Sequence, residues 1–110
     1  MQKELELYES ILLLKLSSAE ELSERLERYR NFLTDRGSQV MVKNHGKISL
    51  AYSIKNLDTA TSIQIVYLGN GELIKQLNTE LQRDEVILRV VTTKLVDDNV
   101  SEMFKTENQS

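Results

Sequence analysis

In this chain of 110 residues, segments with the hydrophobic repeat of a β-strand alternate with segments that have the repeat of a helix. The order of these segments limits the folds that the chain can adopt. Segments with the apolar content or two-residue alternation of β-strands are LYESILLLKL, SQVMVKN continued by KISLAYSIK, SIQIVYL and VILRVVTTKL. Helical stripes lie between the first and second strands and between the third and fourth. This order predicts an α+β ferredoxin-like β-α-β-β-α-β two-layer sandwich, with a four-stranded antiparallel sheet and two helices on one face.

The first helical stripe has a start signal and a stop signal. Ser18 and Glu21 have the spacing of a capping box, in which the serine hydroxyl accepts from the Glu21 N–H and Glu21 reaches back. Gly37 suits the position just after the helix, because it adopts positive φ without a Cβ clash. Between these signals the apolar positions follow at spacings of four, three and four: Leu22, Leu26, Tyr29 and Leu33.

The second strand raises a question of its own, because it is long and polar side chains interrupt it. Alternation in KISLAYSIK places Tyr52 on the same face as Leu50 and Ile54, which predicts a core position for this ring. A bulge or turn is expected near His45, where SQVMVKN meets the second half. The segment NLDTAT that follows is predicted to be a loop, and SIQIVYL the third strand.

Strand parity predicts which side chains lie on the sheet face without helices. If Leu12 and Leu14 face the helices, Ile11 and Leu13 face outward, and the fourth strand presents Arg89, Val91 and Thr93 outward with Leu88 and Val90 inward. Apolar area next to a charge on an uncovered face suggests a binding partner. The alternative is that the C-terminal segment or a second copy covers it.

Composition excludes several classes of function. The chain has no cysteine, so disulfides, thiolate metal sites and a cysteine nucleophile are excluded. The single histidine, His45, lacks a second histidine at ligand spacing and fits a surface or turn position. No apolar run approaches the ~20 residues of a membrane span, and the acidic start is unlike a secretory signal. We expect one domain over 1–95 and a flexible acidic tail over 96–110.

The loop before the second helix offers a weak phosphate-binding alternative. Gly69-Asn70-Gly71 precedes a helix predicted from Glu72 to about Gln82, and helix N-termini can bind anions. The segment lacks the further glycine of a dinucleotide fingerprint and the Gly-Lys-Ser/Thr of a P-loop. A loop with an N-cap is the better interpretation.

Charge is unevenly distributed along the chain. The net charge is −3, yet residues 38–95 hold seven Lys or Arg against five Asp or Glu. Basic strand residues can pair with phosphates, and tyrosine can stack on bases or donate to phosphates. The candidate residues for binding RNA or a protein partner are Tyr8, Glu9, Lys43, Lys47, Lys55, Arg89 and Lys94.

Three segments together resemble a known family. YESILLL, GKISLAYSIKN and EVILRVVTTK, in that order, are similar to the bacterial and plastid small-subunit ribosomal protein six family over roughly Leu7 to Leu95. The matched positions are Tyr8 and Glu9; Gly46, Lys47, Leu50, Ala51, Tyr52 and Ile54; and Glu85, Leu88, Arg89, Thr92 and Lys94. The chain departs from the family pattern at Ile48 and Ser49, where two arginines are usual, and at Ser53, where proline is usual.

The resemblance implies a structural protein of the ribosome and not an enzyme. Its partners would be small-subunit ribosomal RNA and small-subunit ribosomal protein eighteen, with no cofactor, metal, membrane or small-molecule substrate. Loss of two arginines weakens the expected phosphate contacts of the second strand, and Lys43, Lys47 and Lys55 compensate in part. The Gly69-Asn70-Gly71 segment resembles cyanobacterial and red-algal plastid members, which favours a plastid location over the bacterial cytoplasm.

Two other functions fit the same fold class. A small-molecule-binding regulatory domain would place its ligand at the turn after the first strand, where KLSS carries no special signal. A phosphatase-like enzyme would need an arginine and a glycine in that loop, and neither is present. The ribosomal interpretation is therefore favoured, with the regulatory domain as its alternative.

Overall fold

The computed structural model describes residues 5–95, and the predicted acidic tail over 96–110 lies outside them. Within this range the elements follow the predicted order. They are β1 (Glu6–Leu14), α1 (Ala19–Thr34), β2 (Val40–Ile54), β3 (Leu57–Gly69), α2 (Gly71–Gln82) and β4 (Ile87–Lys94).

One four-stranded sheet forms the framework, with strand order β2-β3-β1-β4. Each neighbouring pair is antiparallel. Both helices pack on the same sheet face, because one hydrophobic cluster joins alternate residues of β1 and β3 to both helices. The ferredoxin-like sandwich predicted from the sequence is confirmed.

The core lies between this sheet face and the helices. Its fully buried members are Leu12, Leu14, Ile63, Ile65 and Tyr67 from the strands and Tyr29, Leu33, Leu77 and Leu81 from the helices. Burial of each large apolar side chain contributes about 1.5–3 kcal/mol. The predicted apolar stripe of α1 supplies Tyr29 and Leu33 to this core, with Leu22 and Leu26 packed against it. The spacing of the stripe therefore determines which side of α1 meets the sheet.

Local signals set the ends of α1 largely as predicted. The Ser18 hydroxyl accepts a hydrogen bond from the Glu21 N–H at 3.1 Å, while the Glu21 carboxylate accepts from the Ser17 hydroxyl at 2.7 Å instead of reaching Ser18. At the other end Gly37 has φ +84°, and its N–H donates to the Thr34 carbonyl. This Gly37 turn is a Schellman ending, which requires the positive φ that glycine tolerates.

The prediction of a loop at NLDTAT is wrong, because β3 begins at Leu57 and a two-residue turn joins it to β2. Lys55 and Asn56 form this turn with φ values of 50° and 66°, a combination typical of tight type I′ hairpins. The last pair between β1 and β3 is Leu14 with Thr61, so residues 48–60 extend beyond the four-stranded part. We call residues 48–60 the hairpin arm. NLDTAT supplies Asn56 of the turn and the start of β3, where Asp58 and Thr59 are exposed, so this segment lacks the apolar alternation typical of a strand.

The predicted inward position of Leu88 also needs correction. The pairing of β1 with β4 shifts between Leu13, opposite Arg89, and Leu14, opposite Ile87, which leaves Leu88 as an extra residue. Ile87 and Val90 pack against the core cluster, and the half-buried Leu88 does not. A bulge therefore gives Ile87 the role that simple alternation assigned to Leu88.

Candidate nucleic-acid and protein interface

The sheet face opposite the helices is the first candidate surface. We call it the open face; strand register places on it Glu9, Ile11 and Leu13 from β1, Gln64 and Val66 from β3, and Arg89, Val91 and Thr93 from β4. None of these residues belongs to the core cluster between the sheet and the helices, although Val66 is itself completely buried. The predicted outward positions of Ile11, Leu13 and Arg89 are confirmed.

The open face combines apolar and cationic groups. Val91 is 52% exposed, and Ile11 and Leu13 are half-buried among their neighbours on the sheet. Arg89 is exposed beside Leu13 in the ladder and makes no ion pair within residues 5–95. Such a surface can bury apolar area against a partner while the guanidinium pairs with an anion at the rim.

A line of polar side chains crosses the open face from β2 to β1. His45 Nε2 lies 2.9 Å from Gln64 Oε1, and Gln64 Nε2 donates to the Glu9 carboxylate at 3.3 Å. Since the amide oxygen can only accept, His45 donates through Nε2 in this arrangement. His45 is the exposed extra residue at the predicted β2 bulge, where the Asn44 side chain accepts from the Gly46 N–H. The prediction of a surface histidine is confirmed.

The predicted pair Tyr8 and Glu9 divides between the two faces of the sheet. The Tyr8 ring stacks on Tyr67 with centroids 6.2 Å apart and packs against the core cluster. Tyr67 is itself held by a 3.0 Å hydrogen bond with the Ser10 hydroxyl. Of the pair, only Glu9 lies on the open face. Tyr8 packs on the helix side and helps to hold β1 in place.

Two lysines lie on β2, the edge strand of the sheet, and a third lies in the turn of the hairpin arm. Lys43 lies opposite Gln64 in the ladder, Lys47 lies opposite Thr61 at the base of the arm, and Lys55 forms part of the turn at its tip. All three are exposed, and none pairs with a carboxylate within residues 5–95. Lys94 differs, because its ammonium lies 2.7 Å from Glu6 at the end of β4.

Tyr52 is the main residue that sequence reasoning misplaced. It is 85% exposed in the hairpin arm and not in the core. The ladder pairs Ser49 with Thr59 and next Ile54 with Leu57, so four residues of β2 face one of β3 between these pairs. This large bulge breaks the alternation from which a core position was predicted. No local sequence signal indicated the bulge, although the departure from a usual proline at Ser53 lies within it.

A carboxylate with only 6% side-chain exposure serves the fold and not a reactive site. Asp84, after α2, accepts a 2.7 Å hydrogen bond from the Tyr29 hydroxyl and a 3.3 Å hydrogen bond from the Val86 N–H. Arg25 Nε lies 2.8 Å from the same carboxylate, but out of line for a hydrogen bond, so the contact is an ion pair. This cluster joins α1 to the turn before β4.

The electrostatics of this cluster follow from its burial and its partners. Burial alone would raise the pKa of the Asp84 carboxyl, but the hydrogen bonds from Tyr29 and Val86 and the Arg25 guanidinium outweigh burial and lower it. Burial and the hydrogen bond to Asp84 raise the pKa of the Tyr29 hydroxyl. Asp84 is thus held ionised, as a structural acceptor.

Other candidate chemistry finds little support in the described residues. Between residues 5 and 95, no three His, Cys, Asp or Glu side chains gather in a way that could hold a metal ion. Asn70 caps α2 by accepting from the Leu73 N–H at 3.0 Å, which confirms the N-cap interpretation of the glycine-flanked loop. Over the same residues, neither helix is long and apolar enough to cross a membrane.

Similarity to known proteins is consistent along most of the chain. A protein named small ribosomal subunit protein bS6 from Gloeothece citriformis is 36% identical over 93 residues, which is 83% of this chain and 53% of that protein. The chain thus spans about half the length of that relative. The bS6c protein of Guillardia theta is 33% identical over 90 residues, covering 80% of this chain and 94% of its own. The Porphyra purpurea bS6c protein is also 33% identical, with 84% of each chain covered.

Solved structures support the fold. A 30S ribosomal protein S6 from Thermotoga maritima superposes with a TM-score of 0.75 at 22% identity, covering 97% of this chain and all of that chain. The CPII protein of Thiomonas intermedia, bound to ADP, AMP and acetate, superposes with a TM-score of 0.56 at 15% identity, covering 88% and 93%. At such identities the likeness is one of fold alone, so it does not favour the regulatory-domain alternative.

The family assignment rests on the sequence match together with the geometry above. The family model described as ribosomal protein S6 matches residues 7–94, nearly the whole described range. Relatives with at least 30% identity include both bacterial and plastid forms, and they are structural proteins, not enzymes. The chain belongs to the ribosomal protein S6 family and is a protein of the small ribosomal subunit.

Proposed function

We propose that this protein binds small-subunit ribosomal RNA as a complex with small-subunit ribosomal protein eighteen. The observation that carries the proposal is the one-sided sheet, whose open face bears Ile11, Leu13 and Val91 next to the exposed Arg89. Family membership supports a ribosomal role for this surface. The identity of the protein partner rests on the resemblance stated above.

The two candidate surfaces suit two kinds of partner. Apolar area with a charged rim is typical of protein interfaces, so the open face is assigned to protein eighteen. Exposed lysines along an edge strand and its turn suit phosphates, because they displace counterions without needing an exact fit. Lys43 lies on this edge beside the open face, and Lys47 and Lys55 lie at the base and the tip of the arm. Lys43, Lys47 and Lys55 are therefore assigned to RNA.

The remaining candidates have supporting places in this scheme. Glu9 ends the polar line on the open face and can accept from a partner donor. Arg89 lies on the open face, where an anionic group of a partner can reach it. Lys94 lies opposite Tyr8, on the helix side of the sheet, and its ammonium pairs with Glu6 at the end of β4. Tyr8 contributes through its stack on Tyr67, which fixes the part of β1 that presents Glu9.

The scheme predicts a salt dependence that can be measured. Each phosphate contact contributes about −0.7 to −0.9 to the slope of log affinity against log salt concentration, so three lysines give a slope of about −2 to −3. An acidic chain with net charge −3 has no general attraction for RNA, so this slope reports local contacts. A salt-independent affinity would contradict the proposal.

Co-sedimentation tests the assignment directly. The tagged protein should co-sediment with small ribosomal subunits after a moderate-salt wash. Its affinity for small-subunit ribosomal RNA should rise when protein eighteen is added. Recovery only in the free fractions would overturn the proposed function. Replacing Arg89 by Glu, with Lys75→Glu on α2 as the matched control, should weaken the response to protein eighteen.

A plastid location is part of the proposal. The plastid bS6c relatives and the Gly69-Asn70-Gly71 segment support it, while the bacterial relatives leave the bacterial cytoplasm as the alternative. Fractionation of ribosomes from the source organism decides between them. Finding the protein in plastid small subunits is expected, and finding it only in bacterial ribosomes would contradict this location.

A further inference from the structure

Tyr52 is the least expected side chain on this surface. The ring is 85% exposed, whereas Tyr8, Tyr29 and Tyr67 each contact the hydrophobic core. Among residues 5–95, no ring or polar group contacts it. An exposed aromatic ring without a partner keeps a large apolar area in water, which a bound ligand could remove.

The bulge of the hairpin arm explains how Tyr52 is held outward. Between the pairs Ser49–Thr59 and Ile54–Leu57, β2 has four residues and β3 only Asp58. The Ser53 hydroxyl donates to Asp58 at 2.7 Å and ties the two strands beside the bulge. Bulges of this kind redirect side chains at the edges of sheets.

Along the chain, Tyr52 has small direct neighbours and lies between two lysines, while Asp58 faces its bulge from β3. Lys47 and Lys55 lie on either side of Tyr52 along the chain, and no acidic residue occurs between Ser38 and Leu57. The nearest acid, Asp58, already accepts from Ser53. Ala51 and Ser53, the direct neighbours, are small and exposed, so they leave both faces of the ring accessible.

We propose that Tyr52 stacks on an unpaired base of the bound RNA, with Lys47 and Lys55 neutralising the phosphates on either side. Stacking on aromatic rings is the usual way in which proteins bind unpaired bases, and nearby cations hold the backbone. A protein partner would more often require a rim of apolar neighbours to exclude water around the ring, and Ala51 and Ser53 do not supply one. This inference rests on the proposed RNA-binding function.

The first test measures binding to small ribosomal subunits depleted of their own S6-family protein. Tyr52→Ala should weaken binding about tenfold or more, because a stacked base is lost. Tyr52→Phe should stay within about twofold of the original protein, since it keeps the ring. Tyr52→Leu should behave like the alanine variant. Each variant should keep the original melting temperature, because the ring makes no contact with the core.

The salt dependence separates stacking from ion pairing. Tyr52→Ala should lower the affinity without changing the slope of log affinity against log salt. Lys55→Ala should instead reduce the slope by about 0.7, the value for one phosphate of a single strand. A changed slope in Tyr52→Ala would contradict a stacking role.

Photo-crosslinking identifies the partner class. A p-benzoylphenylalanine side chain at position 52 should crosslink to ribosomal RNA in reconstituted subunits. Crosslinks only to protein, or full binding by Tyr52→Leu, would overturn the stacking proposal. Should the unaltered protein bind normally while Tyr52→Ala binds equally well, this inference alone falls. Should the unaltered protein fail to bind, the proposed function falls with it.

Discussion

The four-stranded part of the molecule and the hairpin arm use the same two strands in opposite ways. In the four-stranded part, Ile63 and Ile65 of β3 are completely buried beneath the helices. In the arm, the same strand carries exposed Asp58 and Thr59, opposite an 85% exposed Tyr52. Alternation along a strand sets two faces, but the elements packed against each face decide whether it is buried. The arm has none.

Truncation of apolar side chains should separate the two regions most strongly. Ile63→Ala creates a cavity in the core and should lower the free energy of unfolding by about 3–4 kcal/mol. Leu50→Ala in the arm is the matched control, and it should lower it by less than about 1 kcal/mol because Leu50 is only half-buried. Urea denaturation followed by circular dichroism measures both values. Equal losses would show that the arm is packed as tightly as the core.

Removal of a carboxylate should give a smaller contrast of the same kind. Asp84→Asn removes the negative charge that pairs with the Arg25 guanidinium and leaves one acceptor oxygen for the Tyr29 hydroxyl and the Val86 N–H. It should lower the free energy of unfolding by about 2–3 kcal/mol. Asp58→Asn in the arm should lower it by less than about 0.5 kcal/mol, since its bond to Ser53 is exposed. Comparable midpoints in urea for the two variants would contradict the structural role of Asp84.

Lowering the pH should also reveal the contribution of Asp84 to stability, without a substitution in the core. The pKa of Asp84 in the folded protein lies below its ordinary value of 3.8, so the stabilisation is complete above that value. It is lost as pH falls through 3.8 toward the folded pKa. The unaltered protein should therefore lose more stability on acidification than Asp84→Asn does. An identical pH profile for the unaltered protein and Asp84→Asn would rule this out.

Charge removal at the base of the arm should change RNA binding and leave stability almost unchanged. Lys47→Ala should reduce the salt slope by about 0.7 to 0.9 while the free energy of unfolding changes by less than about 0.5 kcal/mol. Lys75→Ala, on the exposed side of α2, is the matched control and should leave the slope unaltered. If both lysines change the slope equally, binding depends on total charge and not on the arm.

The sequence predicted the elements of the four-stranded part well because local and global signals agree there. The Ser18 cap, the α1 stripe and Gly37 specify one helix, and the helices then bury one parity of β1 and β3. Parity therefore predicted the open-face positions of Ile11 and Leu13. The alternation of apolar residues predicts burial correctly where a second layer of structure packs against one face of the strand.

The remaining features could not be predicted for a physical reason. Tyr52 and Leu88 both lie at ladder irregularities, where extra residues interrupt the alternation between the two faces of the sheet. Register depends on the partner strand, which the local sequence does not describe. The Lys55–Asn56 turn was missed because its positive φ values occur without a glycine. For the interface, residue types indicated candidate charges but not that Tyr8 and Glu9 lie on opposite faces.

The pairing of β1 with β4 has a practical consequence. The Leu95 N–H donates to the Leu7 carbonyl, so the first and last described strands have adjoining ends at one pole of the molecule. β3 runs from this pole to the Lys55–Asn56 turn, and its 13 residues span roughly 40 Å. A dye or resin attached beside either of these strand ends would therefore sit far from the arm tip, leaving it free for titration with RNA.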